Sequence, residues 1–140
     1  MKVSDIMTSD PACGVGENSL VEIAKLMKDC DCGALPILEN EANRKPAGMI
    51  TDRDIVIRAL AEGKDPFLTQ AEECMTPSVI SVRPDDDIDE CIRLMEKNKV
   101  RRIIVVDSKG AVAGLVTQGQ IALATGKAVA GEVLQEISRP

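Results

Sequence analysis

The chain has 140 residues, a formal charge of −6, 44% apolar and 29% charged residues, one Phe, and no Trp, Tyr or His. That is the balance of a soluble globular protein, long enough for one domain or two half-domains with a common core. Without histidine, Ser–His–Asp and Cys–His catalysis and mixed Cys/His zinc sites are excluded; a net negative, aromatic-poor chain is also unsuited to a nucleic-acid polymer.

The opening "MKVSDIM" has no apolar run of signal-peptide length, and no stretch approaches ~20 apolar residues, so the expected location is the cytoplasm. Five cysteines in a reducing compartment, an odd number, do not make a disulfide framework. Cys30 and Cys32 read as thiols at a helix end, with half of a metal or redox site as the alternative. Cys91 falls on a core face.

In chain order, a short turn leads to Met7 and Thr8. Leu20, Ile23, Ala24 and Met27 then share one helical face, with Asn18 or Ser19 as cap. "ALPIL" (34–38) reads as a buried strand, "NEANRKPA" as a turn and "AGMI" as another strand. A helix begins at Thr51 with "TDRDIVIRALAEG". The segment "KDPFLT" (64–69) reads as a connector. The same order then returns: Met75 and Thr76; a helical face of Ile88, Cys91, Ile92 and Met95 capped from among Asp85–Asp87; "IIVVD"; the turn "SKGAVA"; "AGLV"; and a helix from Thr117. Met7 and Met75 are 68 positions apart, as are Leu20 and Ile88. The register slips by two between the turns, after which Gly48 and Gly114, and Thr51 and Thr117, are 66 apart. A gap that falls in a turn while elements stay aligned marks duplication of a folded unit.

The expected fold is therefore α/β (α+β), with two β-α-β-β-α repeats over 1–63 and 70–126 packed as a pseudo-twofold pair. Residues 127–140 (Val129, Val133, Leu134, Ile137) have the spacing of a last amphipathic helix, packing on the pair or on a partner chain.

The octets "GMITDRDI" and "GLVTQGQI" carry the chemistry. Gly48 lets backbone approach a ligand closely. Thr51 stands where strand becomes helix, and the free N–H groups of the first turn favour an anion. Asp54 offers two charged acceptor oxygens for a ribose diol, each bond worth ~1.5–3 kcal/mol. Thr51-x-x-Asp54 and Thr117-x-x-Gln120 are also capping boxes, which account for the spacing without a ligand; for the second copy both readings stand. Gln120 has one acceptor oxygen and no charge, and Gly119 stands where Arg53 does. Two unequal sites follow.

With these octets, the paired "MT", "ALPIL" and "RRIIVVD", the sequence resembles a tandem pair of cystathionine-β-synthase (CBS) domains, a Bateman module, over roughly Lys2 to Gly126. The resemblance implies a regulatory module that is not an enzyme. It implies a homodimer and a cleft between the repeats for an adenosine-containing ligand: AMP, ADP, ATP, NAD or S-adenosylmethionine. No cofactor is required; the nucleotide is a regulatory ligand. It also implies that Thr51, Arg53, Asp54, Val79, Arg101 and Arg102 form the stronger site, with Val79 on a strand facing the adenine. Gly33, Ala34, Thr117 and Gln120 form the weaker one. A ligand-free dimeric interaction module with vestigial clefts is the alternative, and a thiol switch at Cys13, Cys30 or Cys32 a further one. The regulated partner is an unnamed protein, with neither membrane nor nucleic acid implied.

Overall fold

The computed structural model describes residues 1–77 and 79–126. The amphipathic helix expected over 127–140 lies outside the described residues. The elements are β1 (Thr8–Ser9), β2 (Gly14–Val15), α1 (Leu20–Cys30), β3 (Ala34–Leu38), β4 (Pro46–Thr51), α2 (Asp52–Ile55), β5 (Ser81–Val82), α3 (Ile88–Asn98), β6 (Arg102–Val106), β7 (Val112–Thr117) and α4 (Gln118–Thr125). The mixed α/β class and the two repeats are as the sequence led us to expect.

The helices form where capping and apolar spacing agree. Ser19 Oγ accepts the Glu22 N–H at 3.1 Å and Glu22 accepts the Ser19 N–H at 3.4 Å, a complete capping box for α1. Asp87 caps α3 by accepting the Asp89 N–H at 2.9 Å. Helices α1 and α3 each stop at a left-handed residue, Asp31 (φ 51°) and Lys99 (φ 54°). Leu20, Ile23 and Met27 are buried on α1, and Ile88, Cys91 and Met95 on α3.

The chain divides into two compact units, one of Pro11–Val79 and one of Met1–Asp10 with the residues from Ile80 onward. The units are out of phase with the sequence repeats. In the Pro11–Val79 unit the strand order is β2-β3-β4, with β2 parallel and β4 antiparallel to β3. Thr76 bridges to Met49 of β4, exchanging N–H···O bonds of 3.0 and 2.8 Å. In the other unit the order is β1-β7-β6-β5, and Thr8 lies opposite Leu115 of β7. Each opening Met-Thr segment thus packs with the octet strand of the other sequence repeat. The segment 64–69 is tied to α1: Leu20 and Val21 donate to the carbonyls of Thr69 and Pro66 at 3.0 and 3.2 Å.

Both cores are aliphatic. One is built on Leu20, Ile23, Leu35, Ile37 and Ile50, the other on Val3, Met95, Ile103, Val105, Val116 and Ile121. Each such side chain contributes about 1.5–3 kcal/mol by leaving water.

Two expectations change here. The helix after Thr51 is α-helical only to Ile55 and continues as a π turn over Val56–Leu60, with Ala61 donating to the Val56 carbonyl at 2.9 Å. The β-branched run Ile55, Val56, Ile57 is a poor α-helix former. Val79 precedes the strand assigned to it. Pairing in β5 starts at Ser81 opposite Ile104, after Pro77 has removed a backbone donor.

Candidate functional site

Both octets close the capping box their sequence spells. Thr51 N–H donates to Asp54 Oδ2 at 2.9 Å, and Asp54 N–H to Thr51 Oγ1 at 3.1 Å. Thr117 N–H donates to Gln120 Oε1 at 2.8 Å, and Gln120 N–H to Thr117 Oγ1 at 3.2 Å. The capping reading is therefore correct for both, and any ligand role for Asp54 comes on top of it.

The atoms left over differ. Asp54, with its side chain only 16% exposed, turns Oδ1 toward Arg58, whose Nε stands 3.7 Å away, beyond hydrogen-bonding distance. Gln120 donates from Nε2 to Thr8 Oγ1 at 2.7 Å. Its oxygen serves the cap and its nitrogen holds a neighbouring strand.

The strand before each helix lies in matching register. Ala34 pairs with Thr51, and Arg102 with Thr117. Asp52 N–H donates to the Gly33 carbonyl and Gln118 N–H to the Arg101 carbonyl, both at 2.9 Å. Gly33 and Ala34 therefore correspond to Arg101 and Arg102. Thr51, Arg53, Asp54, Val79, Gly33 and Ala34 belong to the Pro11–Val79 unit; Arg101, Arg102, Thr117 and Gln120 belong to the other. Within its own unit each octet has as neighbours the pair that the resemblance had assigned to the opposite site. Arg53, Arg101 and Arg102 are exposed, and Val79 is half-buried.

Gly48 needs correcting. A Cβ there would lie 2.4 Å from the Thr76 carbonyl oxygen, so the close approach it permits is to its own chain. Gly114 is similar, with Met7 Sδ at 2.6 Å and the Thr8 oxygen at 3.0 Å. An open groove of about 500 Å³ includes Lys28, Cys32, Gly33 and Asp52 in its lining, but neither Thr51 nor Asp54.

Arg58, not singled out from sequence, is the residue that reasoning missed. Its Nη1 donates to the carbonyls of Cys74 and Met75, both at 3.3 Å. The signal was available: Asp54 and Arg58 are spaced i,i+4 on a helix. The corresponding residue in the second repeat, three past its octet, is Ala124.

No helix among the described residues is long and apolar enough to cross a membrane. The family model for the CBS domain matches residues 3–60 and again 71–126. Hypoxic response protein 1 of Mycobacterium tuberculosis is 40% identical over 119 residues, covering 84% of this chain and 80% of that protein. A crystal structure of Hypoxic Response Protein I with two coordinated zinc ions matches at a TM-score of 0.78 and 35% identity over 88% of this chain and 98% of that one. Among the described residues here, no group of three or more Cys, Asp or Glu is placed to hold a metal ion. The CBS-domain pair of protein MJ0100, solved in complex with 5′-methylthioadenosine and S-adenosyl-L-methionine, matches at a TM-score of 0.79 and 32% identity, covering 90% of this chain and all of that one. An uncharacterised protein of Methanopyrus kandleri is 34% identical over 121 residues, and the chain spans 61% of its length.

Proposed function

The chain belongs to the CBS-domain family, and from that premise we propose that it is a regulatory CBS pair, not an enzyme, which binds an adenosine-containing ligand at the Asp54 octet. In this reading Asp54 grips the ribose diol. Thr51 and the first turn of α2 face the phosphate. Arg53 supplies a cation, and Val79 faces the base. The ligand is AMP, ADP, ATP, NAD or S-adenosylmethionine, and the signal leaves through the shape or partner contacts of a homodimer. The observation that carries it is the spare oxygen of Asp54. A helix cap needs one acceptor, which Gln120 supplies as well. Asp54 Oδ1 is surplus to the cap and stands 3.7 Å from its nearest cation. The adenosine compounds bound by the MJ0100 pair support the ligand class.

A thermal-shift screen with AMP, ATP, NAD and S-adenosylmethionine tests it. At least one compound raises the melting temperature of the wild type; Asp54→Ala abolishes the shift, and Gln120→Ala leaves it. No shift with any compound favours the second reading, a ligand-free interaction module. For that module the exposed Val56, Ile57 and Leu60 of the π turn offer an apolar face.

A further inference from the structure

We infer that Arg58 is a positioning residue for Asp54 and passes the state of that carboxylate to the Cys74–Thr76 segment. The inference rests on the ligand reading for its outcome in the cell, but its physical content lies in the ligand-free protein.

The guanidinium is a rigid planar fork, so displacing one edge moves the other. One edge, Nε, faces Asp54 Oδ1 at 3.7 Å; the other, Nη1, holds the carbonyls of Cys74 and Met75 at 3.3 Å. The next residue, Thr76, is bonded in both directions to Met49 of β4, beside Gly48. The path from Asp54 through Arg58 to Thr76 thus returns to the strand that delivers Thr51, all within the Pro11–Val79 unit. Arg58 sits inside the π turn over Val56–Leu60, an irregularity that α4 lacks.

The second octet argues the same point by contrast. Asp54 and Arg58 are replaced together, by Gln120 and Ala124. There the opening segment is held directly, by Gln120 Nε2 on Thr8 Oγ1 at 2.7 Å, with no charge involved. One Met-Thr segment has a fixed neutral tie; the other has an ionic one that depends on the carboxylate. A diol that engages Asp54 Oδ1 draws that oxygen away from Arg58, and the fork shifts on the two carbonyls.

Amide hydrogen exchange read by NMR tests this at Thr76 and Met49, with the Asp10 amide of the other unit, bonded to the Ala113 carbonyl at 3.1 Å, as control. In the ligand-free protein, Arg58→Ala and Asp54→Asn each raise exchange at Thr76 and Met49 several-fold and leave Asp10 unchanged, and Arg58→Lys restores part of the protection. Asp54→Asn keeps an acceptor for the Thr51 N–H, so the cap survives. Saturating AMP alters Thr76 exchange in the wild type and not in Arg58→Ala. Wild-type exchange at Thr76 in Asp54→Asn would overturn the inference, and so would an equal AMP response in Arg58→Ala. Failure of the wild type to bind AMP or any other adenosine compound would sink the ligand reading alone, and the ligand-free variants would still decide the role of Arg58.

Discussion

The two octets solve one structural problem with different chemistry. Thr51–Asp54 and Thr117–Gln120 form the same reciprocal cap, and each stands beside a Met-Thr segment that must be held against the octet strand. In one unit the holding group is an arginine shared with a carboxylate. In the other it is an amide on a hydroxyl. An amide is sufficient for the cap and the tie together, so the fold itself does not require the charge on Asp54 or the reach of Arg58. A duplicated site that keeps its fold in both copies and its charge in one separates what the fold requires from what it does not.

The comparison is broken hardest at the glycines. A Cβ on residue 48 meets a backbone oxygen at 2.4 Å, which cannot move without breaking the Thr76–Met49 bridge. On residue 114 the nearest atom is Sδ of the flexible Met7 side chain, and the backbone oxygen of Thr8 stands farther off at 3.0 Å. Gly48→Ala is therefore expected to destabilise by about 3 kcal/mol, at the upper end for overpacking, and Gly114→Ala by about 1 kcal/mol. Urea midpoints check the order; equal losses would show that the two strand contacts are equally rigid.

A smaller effect comes from the ties. Gln120→Ala removes the acceptor for the Thr117 N–H and the bond to Thr8, a loss of about 1–2 kcal/mol. Arg58→Ala removes longer bonds from a side chain 49% exposed, a loss under about 1 kcal/mol. Chemical denaturation of the two single variants sharpens the contrast between a structural tie and a responsive one.

The last effect is read in pH. Cys91 and Cys74 are both fully buried. Burial pushes the Cys91 thiol up from 9.0 to about 11, helped by Asp86 and Glu90. Burial also raises Cys74, but Lys64 and Arg58 pull it back. A raised thiol pKa favours the folded state's proton. Its stabilisation is whole below about pH 9 and lost as pH rises toward about 11, amounting to about 1 kcal/mol by pH 10. Stability measured across that window falls less steeply in Cys91→Ala than in the wild type, while Cys74→Ala changes the slope less.

Much of this was legible in the sequence, because the strongest signals are local. Caps at Ser19 and Asp87, the apolar faces of α1 and α3, the strand at 34–38 and the threonine that opens each octet helix follow from short-range spacing. The π turn was not legible, since apolar periodicity does not distinguish a widened turn from a regular one. Arg58 was hidden differently. Its spacing from Asp54 was plain, but its partners at Cys74 and Met75 are backbone carbonyls, which no side-chain pattern marks. The correspondence of Gly33 and Ala34 with Arg101 and Arg102 emerges from the register with Thr51 and Thr117. The phase of the units was beyond reach, because Thr8 opposite Leu115 is a pairing across most of the chain.

That phase shift sets an order of synthesis. During translation, the unit over residues 11–79 has every strand it needs once Thr76 has left the ribosome. Residues 1–10 emerge before that unit yet must wait for β7, made of residues 112–117, before their own ladder can close. A gene fragment cut at any one point between these segments therefore strands one of them from its sheet, because the two units are interleaved along the chain and not laid end to end.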